Sequence, residues 1–130
     1  MTRVFDSSSL LVISRGEPGA EIALGLLPDA VMSTVNYAEV MTKLTDRGMT
    51  ERAALDALEF APVALVPLLE THAVAAGRLV ALTKPFGLSL GDRCCLALAL
   101  EREATVVTAD RVWAELAGPL SLEIVVTRPA

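Results

Sequence analysis

Short runs of apolar and β-branched residues alternate along this chain with longer stretches in which apolar residues recur every third or fourth position. These are the periods of buried strands and of helices covered on one side. Val4 and Phe5 begin a strand, Asp6 to Ser9 read as a polar turn, and Leu10 to Ser14 as a short helix. Pro18 and Gly19 break the chain before Glu21 to Leu27, where Ile22, Ala23 and Leu26 share helical spacing. Ala30 to Ser33 reads as a second strand, and Thr34 is placed to cap a helix that runs to about Arg47 and ends at Gly48. Thr50 and Glu51 open an amphipathic helix through Phe60, Val63 to Val66 is a short strand between prolines, and Leu69 to Leu82 is helical. Beyond Lys84-Pro85-Phe86-Gly87, Ser89 caps a strongly apolar helix from Leu90 to about Glu103. Thr105 to Thr108 and Ile124 to Thr127 complete the strands. This alternation predicts an α/β sandwich, a mostly parallel central sheet with right-handed crossovers and helices on both faces. With no internal repeat, low-complexity tract or long linker, residues 1–130 read as one domain.

Composition changes this picture little. An apolar content of 53% and a mean hydropathy of +0.53 raise the question of a membrane span. No uninterrupted apolar run approaches the roughly 18 residues that a span requires, so the excess belongs to core or interface. The carboxylate of Asp6 interrupts what would be the apolar region of a secretory signal, and a cytoplasmic location with no membrane contact is expected. The two cysteines are neighbours, Cys94 and Cys95, in a helical pattern that points them about 100° apart, which predicts buried, reduced thiols. With His72 alone they do not complete a zinc site. A net charge of -5 excludes nucleic-acid binding by global electrostatics and leaves only local basic patches for it.

Four acids stand out by position. Asp6 and Asp110 each follow the carboxyl end of a strand, where open α/β sheets form their ligand crevice. Glu39 lies in the helix after the second strand and Asp92 in the first turn of the Ser89 helix, so both can face the same edge. Each also has an ordinary explanation. Asp6 can cap the first helix, and Asp110 the turn before Trp113. Ser89-Leu90-Gly91-Asp92 fits a capping box, and Glu39 can pair with Lys43 on a solvated face, with Asn36 three residues before it. If the four converge, each pair at 4 Å repels by about 4 kcal/mol at an effective dielectric near 20, and a cation must compensate. Without histidine or thiolate partners, the hard ions Mg²⁺ and Mn²⁺ suit the site. Such ions activate water against phosphodiesters, so the pattern points to a nuclease.

Four segments carry a resemblance to a known family. They are Val4-Phe5-Asp6-Ser7-Ser8, Asn36-Tyr37-Ala38-Glu39-Val40, Gly87-Leu88-Ser89-Leu90-Gly91-Asp92, and Val107-Thr108-Ala109-Asp110-Arg111 with Trp113. In this order and at these separations the chain resembles, nearly end to end, the PIN-domain family and, within it, the VapC-type toxins of toxin–antitoxin pairs. The resemblance implies a PIN-like sandwich and an endoribonuclease that uses Mg²⁺ or Mn²⁺. Asp6, Glu39, Asp92 and Asp110 would hold the metal and catalyse cleavage of an RNA substrate. It further implies a homodimer and a cognate VapB-type antitoxin that blocks the pocket.

Other polar residues have lesser claims. Ser8 and Thr108 can orient a carboxylate or a bound water from behind the acids, or serve only turns and caps. Arg15, Lys43, Arg93 and Arg111 can contact RNA phosphates, or be ordinary surface charge. Trp113 can stack a base, although its neighbours Val112 and Leu116 fit a packing role, and His72 reads as a core or surface histidine. Two rival functions compete with the nuclease. An aspartyl phosphatase with Asp6 as nucleophile would need a second Asp two residues on, where this chain has Ser8. A non-catalytic PIN-like interaction module would keep the acids as caps.

Overall fold

In the computed structural model, which describes residues 2–128, the strands of the sheet run parallel and end at the same edge, and each of the first four hands the chain to a helix or helical turn. The elements are β1 (Arg3–Phe5), α1 (Ser7–Arg15), α2 (Ala20–Gly25), β2 (Ala30–Ser33), α3 (Thr34–Asp46), α4 (Glu51–Glu59), β3 (Ala64–Val66), α5 (Glu70–Arg78), α6 (Val80–Thr83), α7 (Leu90–Arg102), β4 (Thr105–Thr108), α8 (Ala117–Leu120) and β5 (Ile124–Val126). Two 3₁₀ turns, Lys84–Phe86 and Arg111–Leu116, complete the set. The sheet order is β3-β2-β1-β4-β5 and every pairing is parallel. The parallel sheet and its helical cover are those predicted from the alternation of runs.

The alternation of side chains along the two central strands builds the two cores. Val4 and Val106 point to one face, where α7 packs with Trp113, Leu116 and Leu122. Phe5 and Val107 point to the other, against Leu10 and Leu11 of α1, Val40 and Leu44 of α3, and Ala54 and Leu58 of α4. All four of these strand residues are fully buried, and every residue of β4 is buried. A strand covered on both faces has no solvent side, which is why Thr105–Thr108 reads as continuous β-branched sequence rather than as alternation.

Several boundaries differ from the sequence reading, each for a local reason. Ser7 to Ser9, read as a turn, form the first turn of α1, because the Asp6 carboxylate caps it by accepting from the Ser9 N–H at 2.9 Å. Ser33 rather than Thr34 caps α3, accepting from Val35 N–H, while the Thr34 hydroxyl accepts from Leu68 N–H. The stretch predicted as one helix from Leu69 to Leu82 divides at Leu79 into α5 and α6, just after Gly77, a weak helix former. His72 is buried: Nδ1 accepts from Leu69 N–H and Nε2 lies 2.6 Å from Glu101, tying α5 to α7. Cys94 and Cys95 are buried and unbridged. Among the described residues no helix is long and apolar enough to cross a membrane.

Candidate active site

The strand order reverses direction between β1 and β4: from β1 the chain steps outward to β2 and β3, then returns to the other side of β1 as β4. Ligand crevices in parallel sheets form at the carboxyl ends of the two strands flanking such a reversal. Asp6 leaves β1 at this point, and Thr108, Ala109 and Asp110 leave β4 beside it.

Asp6 is only 2% exposed. Its Oδ1 accepts from the Ser8 hydroxyl at 2.7 Å as well as from Ser9 N–H, and its Oδ2 accepts from the Thr108 hydroxyl at 2.6 Å. The two hydroxyls are themselves oriented by the backbone. Ser8 Oγ accepts from Ala109 N–H at 2.9 Å and Thr108 Oγ1 from Asp110 N–H at 3.1 Å, so their own hydrogens turn toward the carboxylate. Burial nevertheless dominates and pushes the Asp6 carboxyl up to about 6, while the hydrogen bonds from Thr108, Ser8 and Ser9 pull the other way.

Glu39 and Asp92 meet at the start of α7. Asn36, fully buried on α3, donates its side-chain amide both to Glu39 Oε1 at 2.9 Å and to the Gly91 carbonyl at 3.0 Å. The Glu39 carboxylate thereby lies against Gly91, so close that a β-carbon there would collide with it. Asp92 completes the anticipated capping box, with Oδ2 accepting from Ser89 N–H at 2.9 Å and Asp92 N–H donating to Ser89 Oγ. Two carboxylates thus gather at a helix N-terminus, where the partial positive charge of free N–H groups favours anions. No ion pair joins Glu39 to Lys43 among the described residues; Asn36 holds Glu39 instead.

Asp6, Asp92 and Glu39 all bear on one buried group. The Cys95 thiol is pushed well above its usual range, first by burial and then by the negative charges of these three acids. Asp110 stands at the exposed rim, capping the 3₁₀ turn Arg111–Leu116 through Oδ1, which accepts from Val112 N–H at 3.1 Å. Glu39, Asp92 and Asp110 share a pattern: one carboxylate oxygen is committed to a local hydrogen bond, and the second accepts none from the described residues. Capping and cation binding are therefore compatible here.

The donor set suits a hard divalent ion, since it consists of carboxylate, hydroxyl and amide oxygens and the nearby thiols are kept protonated. Asn36 Oδ1 is also buried, with no hydrogen-bond partner among the described residues. As the side chains stand, no three acidic, histidine or cysteine groups among the described residues are close enough to ligate one ion directly. An ion drawing on all four acids would be held partly through water, as Mg²⁺ commonly is.

The remaining candidates are scattered. Arg15 pairs with Glu17 at 3.5 Å, Arg93 donates to the Ala76 carbonyl at 2.8 Å, and Lys43 is exposed on α3. Arg111 lies beside Asp110 and Ser8 on the wall of a cleft. Trp113 is fully buried in the core, the packing role its neighbours suggested. In the sequence reading Asn36 is a neighbour of Glu39 and part of a family-like segment, with no role of its own. The signal that could have promoted it is its place three residues away on the same helical face, a polar residue aligned with an acid.

The sequence profile of the PIN domain matches residues 3–119. No curated protein sequence matches the chain. Among solved structures, a toxin–antitoxin complex from Klebsiella pneumoniae aligns with a TM-score of 0.73 at 22% identity, over 99% of this chain and 100% of the other. VapBC2 from Rickettsia felis, bound to a promoter DNA fragment, aligns with a TM-score of 0.73 at 16% identity, over 96% and 98% of the two chains. VapC20 from Mycobacterium tuberculosis, a sarcin-ricin loop cleaving toxin, gives a TM-score of 0.71 at 16% identity, over 88% and 94%. At such identities the likeness is one of fold, and function has to be argued from the site. The profile, by contrast, runs from β1 into α8, and by that match the chain belongs to the PIN-domain family.

Proposed function

We propose that this chain is a divalent-cation-dependent endoribonuclease and the toxin half of a toxin–antitoxin pair. The observation that carries the reading is the burial of an acid, Asp6, at the reversal point of the sheet, in the electrostatic neighbourhood of Glu39 and Asp92. A buried carboxylate whose ionised form is disfavoured costs stability, and a cation that neutralises it repays that cost. Asp6, Glu39, Asp92 and Asp110 would hold Mg²⁺ or Mn²⁺. Such an ion, when bound, supplies Lewis acidity that stabilises charge on the oxygens of a phosphodiester during hydrolysis.

The residues around the acids do the positioning. Thr108 and Ser8 fix the Asp6 carboxylate from the β4 and α1 sides, and their hydroxyl protons are directed by backbone N–H groups, so neither turns freely. Asn36 holds Glu39 against the first turn of α7, and Ser89 holds Asp92. Preorganised second partners of this kind set ligand orientation before the cation arrives. The likeness in fold to chains of VapBC complexes supports a VapB-type antitoxin as partner, and homodimerisation in the cytoplasm belongs to the same reading.

Induced expression in a bacterial host tests it. Wild-type protein should arrest growth, co-expression of the cognate antitoxin should relieve the arrest, and Asp6→Asn should be harmless while accumulating as folded protein. If Asp6→Asn arrests growth as wild type does, the acids are structural and the interaction-module reading takes over.

A further inference from the structure

At the rim of the acidic edge, a cleft of about 390 Å³ is lined by Ser8, Ala109, Asp110, Arg111 and Arg128. Two of its five lining residues are arginines, in a protein whose net charge is -5. Arg128 comes just past β5, and the residue before it is held from two sides. Thr127 is fully buried, and its N–H donates to the Thr108 carbonyl at 2.8 Å. The Thr127 carbonyl lies against Gly19, where a β-carbon would overlap it and where the backbone has a φ of +99°, so a residue other than glycine would be strained as well as obstructed. Thr108 is the residue that donates to Asp6. The chain is therefore tied to the buried acid just before Arg128: Thr127 binds Thr108, and Thr108 binds Asp6. Its side chain is exposed and makes no hydrogen bond or ion pair with the other described residues.

A polyanionic strand approaching four carboxylates is repelled unless local cations offset them, and the overall charge of this protein makes that repulsion worse. Arg15 and Arg93 are engaged with Glu17 and with the Ala76 carbonyl. The cleft beside Asp110 is where cationic groups and the candidate catalytic edge meet. A guanidinium there presents a planar fork that matches two phosphate oxygens.

We infer that this cleft seats a phosphate of the RNA strand next to the one being cleaved, and that Arg128 is the residue that positions it. The inference rests on the nuclease reading and adds to it a substrate-positioning residue and a direction for the strand, from Asp6 past Ser8 and Asp110 toward β5.

The test uses the full chain and a fluorescein-labelled, mixed-sequence 20-nucleotide RNA, with affinity read by anisotropy in EDTA at several NaCl concentrations. Cleavage of the same RNA is read separately with Mn²⁺. Arg128→Ala should bind roughly tenfold more weakly and lose about 0.7 from the slope of log affinity against log salt, the share of one phosphate contact on a single strand. In cleavage its KM should rise with kcat little changed, and Arg128→Lys, which keeps the charge but not the fork, should restore the salt slope and only part of the affinity. Unaltered melting temperatures would show that both variants fold. If wild type binds and cuts the RNA while Arg128→Ala matches it in affinity, salt slope and KM, the inference is wrong and the nuclease reading stands. If wild type neither binds nor cuts, the nuclease reading fails and the inference with it. Loss of poly-glutamate binding with RNA affinity intact would assign the cleft to a protein partner instead.

Discussion

The Thr108 hydroxyl donates to Asp6 Oδ2 across 2.6 Å, joining the ends of two adjacent parallel strands at the point where the sheet reverses its order. Neither residue needs a long side chain for this, because the β1–β4 register already sets Phe5 opposite Val107, one residue before each partner. A short link between strand ends is a rigid one, and it also holds Asp110 N–H through the same oxygen.

Thr108→Val keeps the shape and removes both bonds. The Asp6 carboxyl should then rise further above its ordinary range, and cleavage should fall by roughly 10- to 100-fold, the usual cost of losing a partner that orients a metal ligand. Thr108→Ser should retain most activity. Rates for the three proteins under single-turnover conditions decide this.

The burial of Asp6 also makes stability depend on pH. Its carboxyl is pushed up from 3.8 to about 6 by burial, so between those values the folded chain keeps a proton that the unfolded chain has released. Stability that is present below about pH 4 is therefore lost as pH rises to about 6, by up to about 3 kcal/mol from this group. Asp6→Asn cannot ionise and should be the more stable protein at pH 7.5 without metal, the gap closing toward pH 4. Urea melts of both proteins across this range, with EDTA, would show it; parallel curves would contradict the assigned shift.

Gly91→Ala should separate activity from folding. The atoms that a new β-carbon meets belong to the end of the Glu39 side chain, which can swing away without moving the backbone. The bond from Asn36 would be broken, and activity should drop well over tenfold while the melting temperature changes by only a few degrees. A folded variant that cuts normally would show that Glu39 is not held in place for function, and one that unfolds would show that Glu39 cannot swing away.

Ser89 and Asp92 share a capping box but have different tasks in this account. Ser89→Ala should cost about 1 kcal/mol of stability and leave kcat nearly unchanged, since it removes a cap. Asp92→Asn keeps an oxygen for Ser89 N–H and should cost less stability but most of the activity. Equal losses of activity in both would mean that Asp92 acts only as a cap.

Much of this was legible in the sequence because strand ends are. The β-branched run at Thr105–Thr108 and the brief Val4-Phe5 both stop at polar residues, and in a parallel sheet those stops fall on one edge. That is enough to set Asp6 and Asp110 at one edge of the sheet, and the capping box in Ser89-Leu90-Gly91-Asp92 forms as its spacing predicts. What could not be read were contacts across the chain. Asn36 bridges to Gly91, 55 residues away, and no local pattern records that. Arg128 lies past the last strand and reaches the site only because Thr127 pairs with Thr108. The start of α1 was missed for a related reason, as three serines read as a turn until an aspartate caps them.

The most direct test of the central claim is cleavage of structured RNAs by purified protein with Mg²⁺ or Mn²⁺, set beside EDTA and folded Asp6→Asn and Asp92→Asn variants. Cutting is expected with the ions, and its loss is expected in EDTA and in both variants. Variants that cut as well as wild type would contradict it, since the activity would then not belong to these acids.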